Sequence, residues 1–225
     1  MPTLISTNSA AWPRILPFAI YMAFIVVADL LGRLGLTADE LLWLYPLKIG
    51  AVVLALCWGR RHYTELHWQG MDGRWWLLSI GAGLLVLVLW LNLDTGWMVV
   101  GTSAGFDPSG QNGVNWPLAL LRAAGAALVV PVMEELFWRS FLLRWLVDPR
   151  FLALAPAAVT LRAFAITAVL FGIEHNLWLA GMLAGVVYAG LYMRSQNLWT
   201  AIVAHAVTNG GLSVWILATK NWTYW

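Results

Sequence analysis

The side chains in this sequence that could carry out acid–base chemistry fall in three short stretches. The first is Pro131-Val-Met-Glu134-Glu135-Leu-Phe-Trp-Arg139, which closes a long apolar run with two adjacent carboxylates. A charge at membrane depth costs roughly 3 kcal/mol even on insertion scales, so acids placed there tend to be paired or functional. A helix turns by about 100° per residue, so Glu134 and Glu135 cannot point the same way. Glu135 stands four residues before Arg139, the order and spacing that favour an ion pair on one helix face. Glu134 is left as the free carboxylate. Read more blandly, all three are end-of-helix charges at the headgroup level.

The second and third stretches are Phe171-Gly-Ile-Glu174-His175 and His205-Ala-Val-Thr-Asn209. Four-residue spacing puts Phe171 with His175, and His205 with Asn209, on one face of their helices. A lone His or Asn in a membrane helix commonly serves as an interhelical hydrogen-bonding group. Together with the acid pair, these side chains make a set that could hydrolyse an amide, which needs a base for water and donors aimed at the developing oxyanion.

The elements that position these residues follow from composition. Of 225 residues, 61% are hydrophobic and only 11% charged, with a mean hydropathy of +0.73. This is the composition of an integral membrane protein. Many of the sixteen Trp, among them Trp43, Trp58, Trp75, Trp76, Trp116 and Trp199, stand at the ends of apolar runs, where interfacial belts form. A single cysteine, Cys57, rules out an intramolecular disulfide and a cysteine metal site, and it reads as a small core residue. The net charge of +2 is scattered, which suits loops facing anionic lipid and gives no reason to propose nucleic acid as a partner.

Apolar runs predict spans over residues 13–32, 41–58, 75–93, 116–138 and 198–218, each near the length a bilayer core demands. Residues 163–194 are too long for one span and short for two, and read as a helical hairpin turning near Asn176 to Trp178. The expected fold is an all-α polytopic bundle of about seven spans, a single domain over 1–225, with the site in a cavity between helices. The first span lacks a cleavage pattern and is expected to be retained. Arg60, Arg61 and Arg74 precede the third span, and Arg139, Arg144, Arg150 and Arg162 follow the fourth, whereas Asp94 to Asn115 contains no Lys or Arg. The positive-inside rule then places the amino terminus in the cytoplasm, the carboxyl terminus outside, and the acid pair toward the cytoplasmic end of the fourth span.

The three motifs, Glu134-Glu135-x-x-x-Arg139, Phe171-x-x-x-His175 and His205-x-x-x-Asn209, resemble in order those of the CAAX prenyl endopeptidase and bacteriocin-processing family of intramembrane proteases. The resemblance covers about Arg122 to Leu212, within a family-like core of about 116–218. Within the family the chain looks most similar to bacterial CAAX prenyl protease-related proteins, which accompany exosortase-type surface-protein sorting. The resemblance implies cleavage of a membrane-associated peptide, prenylated or membrane-anchored, at a bacterial inner membrane. It implies that Glu134 deprotonates water with help from His175, that His205 and Asn209 hold the oxyanion, and that Glu135 and Arg139 hold the first motif in place. A zinc site on Glu134, His175 and His205 stands beside a metal-independent one, although no His-Glu-x-x-His motif occurs.

A proton-coupled transporter and a non-proteolytic scaffold or immunity protein are the competing classes. The halves show no repeat symmetry, which speaks against the first, and every motif position is intact, which speaks against the second. Outside the motifs, Asp29 and Lys48 are expected to neutralise each other between the first two spans. Arg122 has no assigned partner, Glu174 receives only a packing role, and His62 and His67 are expected to be solvated.

Overall fold

A computed structural model describes residues 5–68, 70–103, 105–110 and 113–225. Among the described residues the structure is all-α, apart from a two-residue antiparallel pairing of Ser109–Gly110 with Gly113–Val114. The principal helices are α1 (Ile5–Arg33), α2 (Leu44–Gly59), α3 (Gly73–Asn92), α4 (Trp116–Trp145), α5 (Leu161–Ile173), α6 (Trp178–Ser195) and α7 (Leu198–Thr219). Among the described residues five stretches, Ala10–Arg33, Ala38–His62, Gly73–Asn92, Trp116–Trp145 and Leu198–Thr219, are long and apolar enough to cross a membrane. The expected hairpin is formed by α5 and α6, turning through 174–177.

Short polar side chains start the helices. Asp72, Asn115, Thr160 and Asn197 each accept a backbone N–H in the first turn of α3, α4, α5 and α7, which satisfies donors that the helix itself leaves free. Gln196, with φ 60°, ends α6, so that α7 begins two residues later.

Small residues let the central helices approach one another. A Cβ on Gly83 of α3 would lie 2.4 Å from the Ala204 carbonyl oxygen of α7, and one on Gly172 of α5 would lie 2.6 Å from the Trp178 carbonyl oxygen of α6. Without a hydrophobic drive between helices in lipid, such close backbone contact is a principal source of cohesion. The outward faces carry Leu54, Leu77, Leu85, Val26 and Val214, all exposed, with exposed Trp43, Trp58, Trp76 and Trp116 at helix ends. Cys57 is also exposed, on the outer face of α2 and not in the core.

Several charges lie where the sequence did not suggest. Asp29 does not meet Lys48. It pairs with Arg33 at 2.8 Å, one turn along the same helix, whereas the Lys48 ammonium lies 4.1 Å from the Tyr21 ring and 5.2 Å from that of Tyr45. A partner one turn away needs no convergence of two helices, and aromatic faces supply Lys48 with an alternative. Arg139 and Arg144, counted above as loop cations, are buried. Exposed Arg60, Arg61, Arg74, Arg162 and Arg194 gather at one end of the bundle, and exposed Arg33 and Lys220 stand at the other.

Near that end Arg14, fully buried, ties α1 to the loop before α3. Its Nε and Nη2 donate to the Glu65 carboxylate at 2.6 and 2.5 Å, and its Nη1 and Nη2 donate to the carbonyls of Ala10 and His62. The Ser140 hydroxyl of α4 donates to the same carboxylate, and Arg144 donates to Ser140 Oγ at 2.8 Å. Burial would raise the Glu65 carboxyl, but the hydrogen bonds from Arg14 and Ser140 outweigh it and hold the group below its usual 4.5.

Candidate active site

The path of α4 decides where the acid pair points. Two π-helical stretches, Gly125–Val129 and Leu136–Leu142, flank the regular turn Val130–Glu135. In the first of them the Val130 N–H bonds to the Gly125 carbonyl, five residues back. The next bond in that register would run from residue 131 to the Ala126 carbonyl, but Pro131 has no N–H. The freed carbonyl is taken up by Asn209 Nδ2 of α7 at 2.9 Å. A local defect in one helix therefore docks the third motif beside the first.

Glu135 makes the expected pair, with its Oε2 3.1 Å from Arg139 Nε. It also does something unexpected: its Oε1 lies 2.8 Å from Nδ1 of His205. The Arg139 guanidinium lies 4.3 Å from the centre of the Phe171 ring and 5.4 Å from that of Tyr188. The aromatic residue of the second motif thus covers the cation of the first. The His205 ring stacks on Tyr188 with centroids 5.0 Å apart. Tyr188 in turn donates to Thr208 Oγ1 at 2.7 Å, and Thr208 donates to the Gly83 carbonyl at 2.8 Å.

Glu134 is different. It is buried, its Oε2 has no hydrogen-bond partner among the described residues, and that oxygen lies 4.0 Å from His205 Nε2, too far for a hydrogen bond. The fourth group, His175, stands at the tip of α5, where Trp90 meets its ring edge-on at 5.3 Å. Its Nδ1 lies 2.7 Å from the Phe171 carbonyl oxygen. A carbonyl only accepts, so Nδ1 carries the proton and Nε2 of the neutral ring is left as an acceptor.

Glu134, His175, His205 and Asn209 all line one cavity of about 710 Å³. Its floor is set by α4 and α7. Its lining extends to Gly101, Ser103, the turn 174–177 and residues 223–225, at the end of the bundle opposite Arg60, Arg61, Arg74, Arg162 and Arg194, which we take as its mouth. The loop and the turn are joined there: Asn176 and Val100 exchange two hydrogen bonds, at 2.8 and 3.0 Å, and Trp178 Nε1 donates to the Trp97 carbonyl.

Sequence reading passed over Tyr188 and Thr208, which hold His205, and gave Glu174 only a packing role. Glu174 lines the cavity and accepts from Trp138 Nε1 at 3.1 Å. Polar atoms at membrane depth within a run of small residues, Ala184-Gly-Val-Val-Tyr188-Ala189, were the available signal. Zinc meets a poor fit: among the described residues no three His, Cys, Asp or Glu side chains converge as a metal-holding group, and Glu135 already engages His205.

Residues 116–211 match the family described as type II CAAX prenyl endopeptidase Rce1-like. This agrees with membership in the CAAX prenyl endopeptidase family that the three motifs implied, and it spans all of them. Nothing among curated proteins or solved structures matches the chain.

Proposed function

We propose, from the Rce1-like match over residues 116–211 and the cavity that gathers its motifs, that this chain is an intramembrane endopeptidase using a glutamate-activated water. The observation that carries this reading is the unpartnered Glu134 carboxylate facing His175, His205 and Asn209 across one cavity. Glu134 takes a proton from water, which the free Nε2 of His175 helps to orient, and the water oxygen bonds to the scissile carbonyl carbon. The oxyanion so formed meets the second N–H of Asn209, whose first is fixed on Ala126. His205, held through Nδ1 by Glu135, donates to the oxyanion from Nε2 as an imidazolium, and the C–N bond breaks as the leaving amine takes from Glu134 the proton that came from water. Arg139 balances the charge of Glu135.

Orientation belongs to the same proposal. With the cluster of Arg60, Arg61, Arg74, Arg162 and Arg194 in the cytoplasm, the amino terminus is cytoplasmic, the carboxyl terminus is outside and the mouth faces the extracytoplasmic side. That suits a bacterial inner-membrane enzyme whose substrate is the membrane anchor of an exported protein, in keeping with the likeness to proteins that accompany surface-protein sorting. The decisive experiment is mass spectrometry of membrane proteins from cells making the wild type or Glu134→Gln. A new peptide terminus is expected only with the wild type, and Glu135→Gln should retain partial activity. Unchanged cleavage by Glu134→Gln, with Glu135→Gln inactive, would exchange the roles of the two acids.

A further inference from the structure

A second hollow, an open groove of about 540 Å³ between α3 and α6, shares no lining residue with the cavity of the site. Arg74 stands in the first turn of α3 and Arg194 in the last turn of α6, and both line the groove, so two guanidinium groups share its head. From Arg74 the lining follows one face of α3 to Leu85, at three, four, seven, eight and eleven positions on, and α6 supplies Gly190 one turn before Arg194. A Cβ on Gly81 or Gly190 would meet nothing within 4 Å, so neither glycine is needed for two helices of this chain to approach, and both keep the groove open. Apart from the two arginines the lining is apolar, with no acid in it. No ion pair among the described residues involves either arginine, and Asp72, the acid nearest Arg74 in sequence, caps the Trp75 N–H instead.

We propose that this groove binds an anionic phospholipid of the leaflet at the arginine end, with its phosphodiester between Arg74 and Arg194 and an acyl chain along the groove. In a bilayer any apolar groove fills with acyl chain, so what makes this one selective is the pair of cations at its head. Guanidinium groups match phosphate oxygens with parallel N–H donors, and two of them facing one phosphodiester favour a headgroup that carries no ammonium of its own. The stretch from Arg74 to Leu85 covers roughly 16 Å at 1.5 Å per residue, about half of a 30 Å hydrocarbon core. That is the reach of a lipid in one leaflet. A partner helix crossing the whole bilayer would find the groove too short, and it would have to neutralise both arginines. Because α3 and α6 each contribute one cation, the lipid ties the two helices together at that end. The site is separate from the proposed protease chemistry and stands or falls without it.

Native mass spectrometry of the full-length protein, titrated with phosphatidylglycerol or with phosphatidylcholine of the same acyl chains, reads the binding of each lipid. The wild type should hold one phosphatidylglycerol in preference to phosphatidylcholine. Replacing both cations, Arg74→Gln with Arg194→Gln, should weaken phosphatidylglycerol about 25-fold, a factor of roughly five for each arginine, and leave phosphatidylcholine unchanged. Arg60→Gln with Arg61→Gln removes two exposed arginines from the same end but none from the groove, and should change neither lipid. Gly81→Leu with Gly190→Leu fills the groove while leaving the charges in place, and should also abolish the preference. Equal weakening by the two arginine pairs would reduce the effect to the general charge of that face and overturn the site. Phosphatidylglycerol held as tightly by the glycine pair would place the lipid elsewhere, and a dimer lost in that pair would give the groove to a second copy of the chain; either result overturns the proposal. So would a wild type indifferent to headgroup, a comparison that needs no variant to fold.

Discussion

In the proposed mechanism the Asn209 side chain serves packing and chemistry together. One N–H of its amide is committed to the Ala126 carbonyl, which fixes the group where it lines the cavity and leaves the other N–H free of that bond. A donor that needs no reorganisation stabilises charge that develops only in the transition state. Asn209→Ala should therefore lower kcat by roughly a hundredfold with little change in KM. Steady-state kinetics on a reconstituted substrate would check this. A rise in KM at constant kcat would instead make this face a substrate-binding surface. Interhelical hydrogen bonds in membranes average about 0.6 kcal/mol, so the variant should still fold. Glu135 is less expendable than its pairing with Arg139 suggested, because it also orients His205.

At the scale of elements, the site depends on α4 being irregular. In a regular α-helix the Val130 N–H would take the Ala126 carbonyl and leave Asn209 without that acceptor. The lower half of α4 is anchored separately, by Ser140 and Arg144 in the network around Glu65 and Arg14. Because the Glu65 carboxyl titrates below its usual 4.5 in the folded chain, its contribution to stability is complete above the unfolded value and lost as pH falls through the folded one. Thermal unfolding in nanodiscs should show a midpoint that drops as the pH is taken below about 4.5. In Glu65→Gln the midpoint should be lower at neutral pH and should lose that dependence. Removing one partner of a buried pair typically costs about 3–5 kcal/mol, here through the stranded Arg14. An unaltered acid limb in Glu65→Gln would assign the dependence to other carboxylates.

For the molecule as a whole, the decisive relation is between the cavity mouth and the cluster of Arg60, Arg61, Arg74, Arg162 and Arg194, which lie at opposite ends. Glu134 is placed toward the arginine end of α4, yet it is reached from the far end, because α5 is only 13 residues long and its tip brings His175 down to the cavity. Reporter fusions after Gly70 and after Gly110 should fall on opposite sides of the membrane, with the first in the cytoplasm. The same side for both would remove α3 as a crossing. The reverse assignment would turn the mouth toward the cytoplasm and, with it, the side from which substrate enters.

By itself the sequence determined what depends on neighbours along the chain. Apolar run length placed the helices, and four-residue spacing placed Glu135 on Arg139 and set Glu134 apart. The same spacing put His205 and Asn209 on one cavity-facing side of α7. Both inferences follow from helix period, which is local. The partners across helices were decided only by tertiary structure. Nothing in the spacing showed that His205 would lean on Glu135, that Asn209 would repair the carbonyl freed by Pro131, or that Asp29 would turn to Arg33 and leave Lys48 to two tyrosines. Those choices rest on how closely the helices approach, which glycines such as Gly83 permit, and on the register of the π turns. In lipid a polar group takes whichever partner packing brings within reach, because water is not there to compete for it.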